Sequence, residues 1–268
     1  MRTFKLTLAY DGTDFAGWQR QPERTTLQGT LEEVLSRITG AAVTVAASGR
    51  TDAGVHAIGQ VVSFESQTLL EPAVLQRALN AELPDEMLVL ELSEAPSGFH
   101  ARYDAIGKRY RYCIHDGPLR NLFGRRYAWH CRDRLDVSAM HEAAQALLGT
   151  HDFRSFETSW PNRETSVRTI TDILVARGAG QGDGPFGDAG DTIQVEVAAD
   201  GFLYNMVRAI VGTLVEVGRG ARPREWVSEV LAAQDRKAAG KTAPPQGLFL
   251  LHVDYPPAKT DASSAPQT

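Results

Sequence analysis

RTFKLTLAYDG at residues 2–12, followed by TLQGTLEEVLSRITG at residues 26–40, decides the fold of the first half of the chain. Phe4, Leu6, Leu8 and Tyr10 alternate with polar or small residues, the period of a half-buried strand. Asp11-Gly12 closes that strand with a turn. Leu27, Leu31, Val34, Leu35 and Ile38 then fall on one face of a helix. Thr26 suits its N-cap and Gly40 its C-terminal stop. Beyond Gly40, residues 43–47 and 58–64 read as strands. Residues 71–83 read as a helix ended by Pro84, and 87–92 as a strand. The order β-α-β-β-α-β is a split βαβ unit.

The order then loosely repeats. Residues 110–114, 167–176, 192–197 and 248–255 read as strands, and 137–148, 204–217 and 223–233 as helices. The expected fold is α+β, with two ferredoxin-like halves whose sheets and helices segregate around a central cleft. The expected boundaries are 1–105, 106–256 and a disordered tail, 257–268, of Ala, Ser, Pro and Thr. The glycine-rich stretch 178–190 leads into a strand rather than a helix. It therefore reads as a flexible hairpin loop and not as a phosphate cradle.

A chain of 268 residues buries roughly 70–75% of its unfolded surface and needs no staple. Its two cysteines, Cys113 and Cys131, fit a reduced protein. The start, MRTFKLTLAYDG, has neither the apolar run of a signal peptide nor the length of a membrane span, so the expected location is the cytoplasm. The net charge of −5 argues against indiscriminate coating of nucleic acid. Local clusters point the other way. Arg102, Lys108, Arg109, Arg111, Arg120, Arg125, Arg126, Arg132 and Arg134 crowd one stretch, and Arg208, Arg219, Arg222 and Arg224 another. Phosphate contacts to a polyanion would come from these patches.

The segment SGRTDAGVHA, residues 48–57, carries the chemistry. Its glycines let backbone approach a bulky ligand. If it is extended, Arg50 and Asp52 point the same way, and the guanidinium favours the ionised carboxylate. Spacing alone favours a turn with a structural Arg–Asp pair. GRTDAGVHA, however, closely resembles the signature of the TruA family, the tRNA pseudouridine(38–40) synthases. YDGTDFAGWQRQP with LQGTLE resembles the family's N-terminal motif. FHARYDAIGKRYRY (99–112), HDFRSF (151–156), GFLYNMVRAIVGTLVEVGRG (201–220) and APPQGLFLLHVDYP (243–256) follow in the family's order.

The resemblance implies a tRNA-modifying isomerase that acts on uridines at positions 38–40 of the anticodon stem-loop. It implies a homodimer, with tRNA spanning both subunits. Asp52 matches the catalytic aspartate and Arg50 the arginine that pairs with it. Tyr110 matches the active-site tyrosine, Arg208 a second active-site arginine, and Leu248 an apolar residue lining the uracil pocket. On an extended strand Tyr110 and Tyr112 share a face; Tyr112 reads as core. His56 reads as a brace for the motif loop. The isomerisation breaks C1′–N1 and joins C5 to C1′, gaining no atom and changing no oxidation state, so no cofactor is expected. Cys113-x-His115 and His130-Cys131 lack zinc-site spacing, and no metal is expected. Two other classes remain open at this stage, a non-catalytic RNA-binding module and a retaining nucleoside hydrolase. The first has no need of the carboxylate, and the second wants a partner carboxylate that the motif lacks.

Overall fold

The computed structural model describes residues 1–158, 165–178 and 191–257. The sequence expectations for a loop at 178–190 and a tail at 257–268 fall almost entirely outside these residues. In the first half, β1 (Arg2–Tyr10), α1 (Leu27–Thr39), β2 (Val45–Ala47), β3 (His56–Ser66), α2 (Pro72–Glu82) and β4 (Met87–Ala95) follow the expected order. The second half has β5 (Gly107–Asp116), β6 (Trp129–Cys131), α3 (Val137–Ala144), β7 (Gly149–Asp152), β8 (Val167–Arg177), β9 (Thr192–Ala199), α4 (Met206–Gly218), α5 (Trp226–Ala233) and β10 (Leu248–Asp254).

Local chemistry sets most element ends. The Thr26 hydroxyl accepts from the Gly29 N–H at 3.3 Å, and Gly40 closes α1 at φ +72°. Pro72 opens α2, and Leu83, preceding Pro84, turns extended and ends it. Phe4, Leu6, Leu8 and Tyr10 are buried on one face of β1 as the alternation requires. The strand β3 behaves differently. Nearly all its residues are buried, His56, Gln60 and Ser63 among them. A strand covered on both faces loses its alternation.

One ten-stranded mixed sheet runs through the chain in the order β4-β1-β3-β10-β5-β9-β8-β7, with β2 added on β3 and β6 on β5. The two halves are therefore joined without a break. The seam is β10, which comes from the far end of the chain. It pairs parallel to β3, with Phe249 opposite His56, and antiparallel to β5, with Leu248 opposite Tyr112 and Leu250 opposite Tyr110. This register lays three sequence-distant segments side by side: the end of the 48–57 motif, the Tyr110 strand and the Leu248 strand.

Helix α4 carries Arg208 and is almost wholly buried, Val207, Val211 and Leu214 included. Such a helix needs close neighbours on every side. Gly212 permits one of them. A Cβ there would lie 1.6 Å from the Lys241 carbonyl oxygen, so the 240–243 segment rests directly on the helix backbone. The contact is sealed by the Gly240 N–H, which donates to the Thr213 hydroxyl at 3.0 Å. Gly212→Ala should destabilise the protein by about 2 kcal/mol or more, since overpacking of this kind has no rotamer to relax into. Thermal unfolding checks this; a melting temperature equal to that of the native chain would contradict the close packing.

Candidate active site

The 48–57 motif forms a shaped loop from β2 into the start of β3, with the turn that its spacing alone favours but without the Arg–Asp pair. Ser48 and Gly49 bend the chain. Asp52 to Val55 make a β-turn closed by the Val55 N–H on the Asp52 carbonyl at 3.1 Å. Gly54 takes the left-handed position at φ +78°, which is why glycine stands there. Gly12 explains the second glycine-bearing motif. A Cβ on Gly12 would come within 2.0 Å of the Val55 carbonyl oxygen, so the 11–18 loop and the motif loop touch backbone to backbone.

A buried polar network fixes the loop from beneath. The Gln60 carboxamide, fully buried on β3, accepts from the Ser48 hydroxyl at 2.7 Å and donates to the Gly49 carbonyl at 2.9 Å. The Tyr10 hydroxyl meets the Thr51 hydroxyl at 2.8 Å. Lys108 of β5 donates to the Ser48 carbonyl at 2.6 Å and ties the loop to the second half. Unpaired, each of these buried groups would carry a desolvation cost, so the network resists displacement of Asp52. Gln60 was not singled out in the sequence. A polar residue inside an otherwise apolar run was its only signal.

His56 braces the loop from the other side. Its Nδ1 accepts from the Gly12 N–H at 3.1 Å and its Nε2 faces the Arg126 carbonyl at 3.1 Å. Its ring stacks on Phe249. Burial pushes its imidazole below the ordinary value, against the pull of Asp11. Both ring nitrogens are thus occupied, which suits a brace and not a general base. His115 and His130 likewise spend Nε2 on the carbonyls of Leu119 and Gly117. Among the described residues no cluster of His, Cys, Asp or Glu is arranged to hold a metal ion.

The partner of Asp52 is a correction to the sequence reading. Arg50 is exposed and makes no ion pair with it. The Arg208 guanidinium does: Nη1 reaches Asp52 Oδ2 at 3.0 Å across 156 residues of chain. Arg208 is itself held by the Ala243 carbonyl at Nε, 2.7 Å, and by the Asn205 side-chain oxygen at Nη1, 2.8 Å. Asp52 Oδ1 accepts no hydrogen bond from the described residues. The direction of the titration is also corrected. Burial raises the Asp52 pKa above the ordinary carboxylate value and outweighs the opposing attraction of Arg208.

Tyr110 lies 8% exposed on β5, edge-on to Phe202 at 4.9 Å. Burial, with the neighbouring Tyr10 and Asp52, pushes its phenol far up, so it is a protonated hydroxyl at neutral pH. Tyr112 is core, as expected, and its hydroxyl donates to the Pro244 carbonyl at 2.7 Å. Leu248 is buried at the start of β10. The structure thus brings Asp52 and Arg208 into contact and sets Tyr110 within the electrostatic reach of Asp52. The β10 register sets Leu248 opposite Tyr112 and Leu250 opposite Tyr110, and Arg50 is left exposed. A concavity of about 510 Å³ beside Arg20, Thr26 and Glu33 does not include these residues.

The basic patches are thinner than composition suggests. Arg109 pairs with Asp172 and Glu196, Arg111 with Glu196, Arg126 with Asp14, Arg134 with Asp116 and Asp191, and Arg224 with Glu142. Arg102, Arg120, Arg125 and Arg132 are exposed and in no salt bridge among the described residues.

Comparison with known proteins gives this geometry a family. Residues 7–104 and 143–256 match the model of the tRNA pseudouridine synthase family. A tRNA pseudouridine synthase A from Brevibacillus brevis is 46% identical over 255 residues, 95% of this chain and 100% of its own length. Its namesake from Halalkalibacterium halodurans is 48% identical, covering 93% and 91%. Another from Syntrophotalea carbinolica is 44% identical, covering 96% and 98%.

A carboxyl-carbon NMR titration should find Asp52 above the ordinary range of about 3.9 for a free aspartate. Arg208→Gln should move it further up, because only the lowering influence is removed. A midpoint at or below the ordinary value, or one unmoved by Arg208→Gln, would show that the ion pair does not govern this carboxylate.

Proposed function

Because the chain belongs to the tRNA pseudouridine synthase family, and is therefore an isomerase of tRNA uridine, we propose that Asp52 is the carboxylate that acts on the substrate and that the target uridines lie at positions 38–40 of the anticodon stem-loop. The observation that carries the first part is the Asp52–Arg208 pair, a carboxylate anchored through one oxygen, with the other accepting no hydrogen bond from the described residues. The second part rests on the order and wording of the six sequence motifs.

A uridine in a stem must leave its stack, at a cost of a few kcal/mol. Stacking on an aromatic ring offsets about 1–3 kcal/mol of that per base. Tyr110, with Phe202 against its edge, supplies the ring, and Leu248 an apolar wall. Asp52 then attacks C1′ or C6, or stabilises the charged intermediate by its field. Each route needs the same ionised oxygen. The Arg208 guanidinium keeps that form present in a place where burial opposes it. The glycosidic bond breaks at N1, the base turns, and C5 bonds to C1′. One proton leaves C5 and one arrives at N1, so the net change is zero. Tyr110 is held as a neutral phenol, so it takes the C5 proton only while passing its own onward. This makes it a relay rather than a standing base.

Arg50, released from the expected pairing, stands exposed two residues from Asp52 and suits a phosphate contact. The chain works as a homodimer on the same reading, with tRNA spanning both copies, and meets its substrate in the cytoplasm. Among the described residues no helix is long and apolar enough to cross a membrane.

Incubation with unmodified tRNA transcripts, followed by mapping of pseudouridine, tests the reading directly. Product outside the anticodon arm would overturn the positional part. Asp52→Asn should lower kcat by roughly a thousandfold or more with tRNA affinity nearly kept. Native turnover in that variant would remove Asp52 from the mechanism. Arg50→Ala should weaken tRNA binding and flatten its dependence on the logarithm of salt by about one unit of slope. An unchanged slope would exclude the phosphate contact. Sedimentation should find the active species to be a dimer, and a fully active monomer would refute that part.

A further inference from the structure

We infer that Asn205 is a positioning residue for the catalytic carboxylate, acting through the guanidinium of Arg208. The inference rests on the reading of Asp52 given above. Asn205 stands at the N-cap of α4 with φ +61° and ψ +8°, the left-handed region that few residues other than glycine adopt. An N-cap asparagine ordinarily turns its side-chain oxygen onto the first N–H groups of its helix. This one makes no such bond. Its oxygen accepts instead from Arg208 Nη1 at 2.8 Å, and its amide nitrogen donates to the Thr158 hydroxyl at 3.1 Å. The left-handed backbone, which asparagine tolerates, takes the side chain off the capping position and puts it on the arginine that holds Asp52.

The arithmetic of hydrogens explains the contact. Nη1 of Arg208 has two. One goes to Asp52 Oδ2 at 3.0 Å and the other to Asn205. With Nε fixed on the Ala243 carbonyl, the guanidinium plane is held at three points and cannot turn about its stem. A neutral amide does this without adding charge. A carboxylate in its place would compete for the same nitrogen and raise the Asp52 pKa. Arg208, which can only donate, sets which end of the amide faces it, and the amide nitrogen is then left to donate to the Thr158 hydroxyl.

Asn205→Gly keeps the left-handed backbone at no steric cost and deletes the amide. It should lower kcat about tenfold or more with KM within about twofold, and move the acid limb of the kcat/KM profile up. Asn205→Asp should move that limb further up. Thr158→Val leaves residue 205 intact but removes the acceptor of its amide N–H, one of the two contacts that hold the amide, and should lower kcat severalfold. It decides the question if the glycine variant fails to fold. A purely structural asparagine would leave the acid limb unmoved. Native kcat and an unmoved acid limb in Asn205→Gly, or in Thr158→Val where the former does not fold, would overturn the inference. Asp52→Asn, run alongside, separates the two layers: if it keeps turnover, the premise has failed; if it is inactive while these variants are normal, the role of Asn205 alone has failed.

Discussion

The contact between Arg208 Nη1 and Asp52 Oδ2 is the interaction on which the rest of the site depends. It joins a loop of the first half to a helix of the second, and neither half contains the pair alone. Its geometry requires the sheet to run unbroken from β1 to β9, so that α4 lies over the end of the motif loop. The strand that makes the sheet continuous, β10, is the last in the chain. A site of this kind forms only when the whole fold has closed. The close packing of Gly212 on Lys241 belongs to the same constraint, because the 240–243 segment also supplies the carbonyl that holds Arg208 Nε.

Burial and charge pull the carboxylate in opposite directions, and burial is the stronger. The folded chain therefore favours the protonated form of Asp52 more than the unfolded chain does, and ionising Asp52 there costs stability. The sign follows from linkage: a carboxyl whose pKa is higher folded than unfolded binds protons preferentially in the folded state, so stability falls as pH rises through that range. The neutral groups of Gln60, Ser48, Thr51 and Tyr10, with the Lys108 ammonium on the Ser48 carbonyl, offset the tendency by fixing the loop. None of these bonds is made to the Asp52 carboxylate itself, so they fix the loop that carries it without pairing with its charge.

Elements with long, regular patterns were legible in the sequence. β1, α1 and α2 lie within a residue or two of their expected places, because alternation, a threonine cap and flanking prolines are local causes. β6 and β7 are three and four residues long, too short for any period to show. The helix expected at 204–217 starts at Met206, since Asn205 takes a backbone conformation that no pattern announces. The helix expected at 137–148 ends at Ala144 and finishes in a tighter turn before Gly149. Among site residues, Asp52, Tyr110, Arg208 and Leu248 were reached through resemblance. Gln60, Asn205 and Lys108 were not, because their roles are hydrogen bonds across 12 to 60 residues or to an arginine whose own partner was misassigned.

That misassignment has a physical origin. Resemblance made Arg50 the partner of Asp52, and the two would share a face only if the segment were extended. The turn from Asp52 to Val55 breaks the premise: once the backbone reverses, neighbours in sequence no longer share a direction. The partner then comes from wherever the fold delivers a guanidinium with its stem already fixed. Arg208 has that advantage, being seated on a buried helix and bonded at Nε before it meets the carboxylate. A flexible exposed arginine would lose side-chain entropy on forming the same pair in water, where such pairs are worth little. The pre-ordered arginine therefore holds the carboxylate, and Arg50 stays exposed at the surface.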